Sequence, residues 1–202
     1  RRSRLPPDRA HPLGYGRELY FWSFVVALLV FALGAGVSFY EGITHILAPE
    51  PIRNVMVTYV VLGLSMVFEG VSWWVALREF GARKGRLGYL DAVRQSKDPT
   101  TFTVLFEDSA ALLGLLIALA GIAASQYTGQ PALDGAASIG IGLVLAMTAV
   151  FLARECKGLL LGEQAAPGLQ AVILKIVDED PAVHRANGVI TVHLAPDQIV
   201  AA

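Results

Sequence analysis

The composition of this chain excludes an ordinary soluble domain. Of its 202 residues, 54% are hydrophobic and 16% are charged, and the mean hydropathy is +0.55. Soluble domains carry about 25% charged residues, so we expect an integral membrane protein with no nucleic-acid partner. The single cysteine, Cys156, excludes an intramolecular disulfide and a cysteine-built metal cage.

Four apolar segments predict membrane-spanning helices, at about residues 19–40, 55–77, 101–125 and 135–152. Segments of about 20 apolar residues are long enough to cross a hydrocarbon core as a helix. The first 17 residues, which are basic and contain prolines but lack Met and an apolar signal core, predict a polar loop. We expect the chain to begin inside a longer protein.

The two ends of the first segment carry recognisable signals. Tyr20 and Trp22 at its start are typical of the aromatic belt at a membrane surface. Prolines after its end predict a short loop over residues 41–51. In this loop His45 and Glu50 either hold an ion or are simply solvated.

Small residues in two segments favour close helix packing. They are Gly34 and Ser38 in the first segment, and Ser138, Gly140 and Gly142 in the fourth. Glycine is also common in membrane helices without any packing role. Asp134, at the start of the fourth segment, is predicted to cap that helix by accepting its first free N–H groups.

The basic residues predict the orientation of the chain in the membrane. Five precede the first segment, one follows it, six lie between residues 78 and 100, none follows the third segment, and two follow the fourth. Cytoplasmic loops carry an excess of Lys and Arg. Both termini and the basic loop at 78–100 are therefore expected in the cytoplasm.

The third segment contains two adjacent carboxylates, Glu107 and Asp108, about two helical turns inside it. Asp108 is predicted about 10 Å below the membrane boundary, where a charge is costly and usually faces the protein interior, pairs or binds a cation. Neighbouring helical residues project about 100° apart, so we expect Asp108 alone to face the pathway. Alternatively, both acids lie shallower and bond a neighbouring Ser or Arg.

The second segment has a polar stripe on one helical face, formed by Thr58, Ser65, Glu69 and Ser72. Such a stripe predicts that this helix lines the interior of a bundle. Glu69 is its one strongly polar residue, and an intramembrane carboxylate is a candidate functional group. In the other interpretation, Trp73 and Trp74 mark the membrane surface and Glu69 is nearly in water.

The tail after residue 161 changes character. Residues 168–177 have helical apolar spacing, residues 178–181 end that helix, and residues 189–194 alternate like a strand. We expect a soluble cytoplasmic domain to begin at 162, and the material up to Ala202 is too little to bury a core.

Three motifs together resemble the cation diffusion facilitator family. Residues 11–18 read His-Pro-Leu-Gly-Tyr-Gly-Arg-Glu and resemble the signature before that family's third membrane helix. Residues 134–143 resemble the start of its sixth helix, and residues 155–163 resemble its exit toward the cytoplasm. The resemblance implies an all-α membrane bundle whose four spans correspond to helices three to six of six, followed by the start of an α+β ferredoxin-like domain.

The same resemblance implies a transport site. The family usually builds it from two Asp on helix two and a His-x-x-x-Asp on helix five, and Asp108 matches that last Asp. Val104 stands at the His position and Glu107 lies beside the Asp, as in a subgroup related to animal zinc transporters. The resemblance also implies that Asp8 and His11 can bind a second metal, although Tyr15 stands where another His would be.

These observations lead to a specific functional expectation, which is not enzymatic. We expect a secondary transporter that exports a divalent cation in exchange for protons, with Asp108, Glu107 and Glu69 as candidate ligands. Zinc is the first candidate; Mn²⁺, Co²⁺ and Fe²⁺ are alternatives because an all-carboxylate site suits harder ions. We expect no permanently bound cofactor and a location in the bacterial inner membrane, and the resemblance implies a homodimer.

The alternative is a non-transporting membrane scaffold that acts through its cytoplasmic domain. The missing His ligand favours it, whereas two acids at transport depth argue against it.

Overall fold

The computed structural model describes residues 2–49, 54–85, 87–96, 98–165 and 167–202. After a 3-10 turn at Arg2–Arg4, six α-helices and two strands follow in chain order. They are α1 Arg17–Leu47, α2 Val55–Arg83, α3 Tyr89–Gln95, α4 Pro99–Thr128, α5 Ala132–Leu161, α6 Pro167–Asp178, β1 Thr191–Ala195 and β2 Gln198–Ala201.

The four long helices have the length and composition needed to cross a membrane. This confirms the predicted fold class, a helical membrane bundle. Each helix extends beyond its apolar segment, because a helix continues into the surface region where polar side chains are hydrated. The 78–100 region is correspondingly not a simple loop, since α2 continues to Arg83 and α3 occupies Tyr89–Gln95.

The prediction of a loop over residues 41–51 was wrong for its first half. Helix α1 continues through His45 to Leu47, and the N–H of Ala48 still donates to the carbonyl of Thr44. Pro49 restricts the residue before it and leaves the preceding turn intact. Glu50 lies outside the described residues, as do Arg1, Arg53, Arg86 and Lys97, which entered the count of basic residues.

The assignment of Tyr20 to a surface aromatic belt was also wrong. Tyr20 is fully buried, in one apolar cluster with Phe31 of α1 and Leu152 and Cys156 of α5. Trp22, on the opposite side of the helix, is 55% exposed. Aromatic composition at a helix end does not distinguish the face toward the bundle from the face toward lipid.

Helix α5 packs between α1 and α4, while α2 packs on α4. The α1–α5 contact is closest at two glycines: a Cβ on Gly42 would lie 2.7 Å from the carbonyl oxygen of Gly135. Farther along, Gly142 faces Phe39 and Gly34 faces Leu145. The predicted packing role of Gly34 and Gly142 is thus confirmed, and Gly42 and Gly135 form the tightest approach of this pair.

Asp134 does not cap α5, which corrects the prediction. Pro131 is the capping residue, and Asp134 lies in the first turn with no side-chain bond to the helix N-terminus. Its Oδ2 instead lies 3.3 Å from Nδ1 of His45 on α1. The local sequence could not reveal this contact, because it depends on the packing of α1 against α5.

The residues after α5 form α6 and an antiparallel β1–β2 hairpin, in which Thr191 pairs with Ala201. The hairpin lies against the start of α1: a Cβ on Gly16 would be 2.6 Å from the carbonyl oxygen of Leu194. The N–H of His193 donates to the carbonyl of Glu163 at 3.0 Å. The tail is therefore in direct contact with the membrane bundle near the predicted cytoplasmic end.

Candidate metal site

Asp108 is a buried carboxylate within an apolar helix. Helix α4 begins with an N-cap at Asp98, whose side chain accepts from the N–H of Thr100, and with Pro99 in the first turn. Asp108 lies about 14 Å along the axis from Pro99 and is 6% exposed. Such a position is unfavourable for a charge that has no compensating partner.

The partner that the structure provides is on the neighbouring helix. The Ser72 hydroxyl of α2 donates to Oδ2 of Asp108 at 2.8 Å. One hydroxyl satisfies only part of a carboxylate, which has about four lone-pair sites for donors or a cation. The carboxylate of Asp108 therefore retains sites at which a metal ion or a proton can bind.

A second polar bridge fixes α2 against α4 beside this pair. Nε1 of Trp73 donates to the Ser109 hydroxyl at 2.9 Å, and that hydroxyl donates to the carbonyl of Leu105 at 2.7 Å. The residues adjacent to Ser72 and Asp108 are thus held across the same helix contact. The two bridges together constrain the rotation of α2 relative to α4.

Glu107 and Glu69 occupy different positions from Asp108. Glu107 is exposed, as expected for the neighbour of an inward-facing residue, and Glu69 is partly buried on α2. Asp108 and Glu107 both lie close enough to Glu69 to act on it electrostatically. Within the described residues, however, no three His, Cys, Asp or Glu side chains form a metal-binding group.

Only part of the polar stripe of α2 contacts another helix of the bundle through hydrogen bonds. Thr58 directs its hydroxyl to the carbonyl of Asn54 on its own helix, whereas Ser72 reaches Asp108. The periodicity of the sequence placed Ser72 on the same helical face as Glu69, but it contained no signal that Ser72 would bond Asp108. One of the two interpretations of Glu69 took Trp73 as a marker of the membrane surface, and the bond of Trp73 to Ser109 was not anticipated.

A cavity of about 510 Å³ lies beside Ser72, between α2 and the first turns of α4. Its acidic residues are Glu79 and Asp98, near the predicted cytoplasmic end. Val104, at the position of the usual His, also lines the cavity one turn before Asp108. The cavity thus extends from a carboxylate-bearing end to the hydroxyl that contacts Asp108.

The structure brings Asp8 and His11 together in a tight loop. Oδ1 of Asp8 accepts from the N–H groups of Ala10 and His11, at 2.9 and 2.6 Å, and lies 3.4 Å from Nδ1 of His11. Oδ2 accepts from the Tyr15 hydroxyl at 2.6 Å. These bonds, that from Tyr15 foremost, lower the pKa of Asp8 below its ordinary value.

The hydrogen bonds of Asp8 stabilise the loop without a metal. The Tyr15 hydroxyl donates to Oδ2 of Asp8, and the Tyr15 ring packs on His11 at 4.2 Å between centroids. A second metal site at Asp8 and His11 therefore stays a prediction. The proposed ion site at His45 and Glu50 also stays untested, since Glu50 lies outside the described residues.

Comparison with known proteins identifies the scaffold. The family model described as the cation efflux transmembrane domain matches residues 1–161. The chain is 34% identical over 189 residues to the mitochondrial proton-coupled zinc antiporter SLC30A9 of Xenopus laevis, covering 93% of this chain and 34% of that protein. Its human counterpart is 34% identical over 185 residues, covering 91% of this chain and 33% of that protein.

A plant relative is similar to this chain at the same level of identity. Metal tolerance protein C4 of Arabidopsis thaliana is 34% identical over 183 residues, covering 90% of this chain and 40% of that protein. The chain thus spans about a third of the length of the animal relatives. The match to the family model covers the four long helices, including those that carry Asp108 and Ser72. The chain therefore belongs to the cation diffusion facilitator family through its cation efflux transmembrane domain.

Proposed function

We propose that this chain belongs to a secondary transporter that exports a divalent cation, zinc first, in exchange for protons. The observation that carries the proposal is the buried Asp108, whose carboxylate is 6% exposed within a membrane-spanning helix and is held by Ser72. The names of the animal relatives, proton-coupled zinc antiporters, support the choice of cargo and of counter-ion.

The mechanism rests on competition for one carboxylate. A carboxylate must be deprotonated to bind metal, so a proton that occupies Asp108 displaces the cation and a cation displaces the proton. If the helices alternate between two openings, this competition is sufficient to couple the two fluxes. Glu69, on which both acids of α4 act electrostatically, is the second acid that we assign to the site.

The cation reaches Asp108 through the cavity between α2 and α4. Glu79 and Asp98 provide negative charge at its predicted cytoplasmic end, and Ser72 lies at its inner end. Carboxylates at a cavity mouth raise the local concentration of cations. The Ser72 hydroxyl then orients the Asp108 carboxylate toward the arriving ion.

The choice of metal follows from the donor atoms. The proposed ligands on α2 and α4 are carboxylate oxygens, since Val104 replaces the usual His. Oxygen donors suit harder ions than zinc, so we expect zinc transport with weaker discrimination against Mn²⁺, Co²⁺ and Fe²⁺.

The test is metal-driven proton flux in liposomes that contain the full-length protein. The variants are Asp108→Asn, which keeps the shape of the side chain, and Asp91→Asn, which removes an exposed acid on the short helix α3. We expect the first variant to lose flux down to the level of empty liposomes and the second to retain it. Undiminished flux in Asp108→Asn would refute the proposal.

A scaffold without transport activity is the weaker alternative. Such a protein gains nothing from a buried, partly satisfied carboxylate at this depth, and burial of an unused charge is unfavourable. A homodimer remains part of our proposal on the basis of family membership. The bacterial inner membrane also stays a prediction, and the animal relatives carry the word mitochondrial in their names.

A further inference from the structure

A long apolar groove runs along the outer surface of the bundle between α1 and α5. It has a volume of about 550 Å³ and is lined mainly by apolar side chains. On α1 it extends from Phe24 to Phe39, a distance of about 22 Å at the helical rise. Its floor consists of small residues, among them Gly36 on α1 and Ala149 on α5.

One end of this groove is positively charged. Arg154 and Lys157, one turn apart on α5, are its charged lining residues. Both are exposed, and neither makes an ion pair within the part of the chain that the structure describes. By the distribution of basic residues, this end faces the cytoplasm, where membrane leaflets carry anionic lipids.

The shape and the charges match one class of ligand. We propose that the α1–α5 groove binds an anionic phospholipid of the cytoplasmic leaflet, with an acyl chain along the small residues and its phosphate at Arg154 and Lys157. A hydrocarbon core about 30 Å thick consists of two leaflets, so one acyl chain spans roughly 15 Å and fits within the length of the groove. A guanidinium and an ammonium side by side are suited to a phosphate oxygen cluster.

A second copy of the chain fits this groove less well. In a symmetric dimer whose contact is centred on this end, Arg154 and Lys157 of one copy would lie close to the same residues of the other copy. Repulsion between these like charges opposes such a contact. A lipid phosphate neutralises both cations. Each basic residue near an anionic surface favours binding by roughly fivefold, so we expect the pair to give a preference of about 25-fold.

The test measures labelling of the full-length protein in bilayers by photoreactive phospholipids. Phosphatidylglycerol and phosphatidylcholine that carry the same photoreactive acyl chain are compared, and labelled peptides are identified by mass spectrometry. We expect phosphatidylglycerol to label α1 and α5 peptides of the groove about 25-fold more efficiently. The double variant Arg154→Gln/Lys157→Gln should lose this preference, whereas Arg78→Gln, at the exposed end of α2, should keep it.

A groove-filling variant separates chain binding from surface charge. A Cβ on Gly36, which lines the groove, meets no atom within 4 Å, so Gly36→Leu adds apolar volume to the groove at a position with room for the first side-chain carbon. We expect it to reduce labelling by phosphatidylglycerol at least tenfold while both cations remain. Equal labelling by the two lipids would overturn the proposal, and so would protein–protein cross-links across the groove in place of lipid labelling. This inference does not depend on metal transport.

Discussion

The Ser72 hydroxyl lies 2.8 Å from Oδ2 of Asp108, across the contact between α2 and α4. This bond makes the orientation of the proposed ligand depend on a second helix. Movement of α2 relative to α4 would change the donor set of Asp108, and a change of that kind is what alternating access requires.

We predict that Ser72→Ala weakens zinc binding without abolishing it. Removal of the partner that orients a ligand typically costs 10- to 100-fold in metal affinity. Zinc affinity of the full-length protein, measured by calorimetry, should fall by about that factor, and Ser72→Thr should restore most of it because the hydroxyl is kept. Equal affinity in Ser72→Ala would show that the bond has no positioning role.

Val104→His should increase the preference for zinc. Val104 is 45% exposed and lines the cavity one turn before Asp108, so an imidazole at this position is accommodated beside the carboxylate. Nitrogen donors favour zinc over Mn²⁺. In competition flux assays we expect the Zn²⁺/Mn²⁺ ratio to rise about tenfold, and an unchanged ratio would place Val104 outside the ion pathway.

The glycine contact between α1 and α5 should be intolerant of added volume. A Cβ on Gly42 would lie 2.7 Å from the carbonyl oxygen of Gly135, so Gly42→Ala forces the helices apart at a cost of about 1–3 kcal/mol. The matched control is Gly63→Ala on α2, where a Cβ meets no atom within 4 Å. In thermal unfolding of the purified protein, only the first variant should have a lower Tm.

The N-terminal loop should respond to acid through Asp8. The pKa of Asp8 in the folded protein is lowered by the Tyr15 hydroxyl and by the backbone N–H groups. The carboxylate therefore stabilises the loop at pH values above its ordinary pKa of about 3.8. This stabilisation is lost as the pH falls through the lowered pKa of the folded state. We predict that Tyr15→Phe raises the pKa of Asp8. Side-chain carboxyl resonances followed by NMR titration measure this, and an unchanged pKa would contradict the assigned cause.

The sequence predicts the helices well because long apolar segments have few alternatives in a membrane. It also predicts that Asp108 faces the interior of the bundle, since a charge at that depth in a membrane helix is unfavourable on the lipid-facing side. Tyr20, Asp134 and Ser72 show where this reasoning ends. Their partners are on other helices or in the core, and local periodicity does not determine which faces of two helices meet.

The most direct test of the central claim is the number of protons released when zinc binds. Calorimetry of the full-length protein, in buffers of different ionisation enthalpy and over a range of pH, measures this number together with affinity. We predict that zinc binding releases protons and that Asp108→Asn removes both the release and most of the affinity. If Asp108→Asn bound zinc with unchanged affinity and proton release, metal and protons would not compete at Asp108.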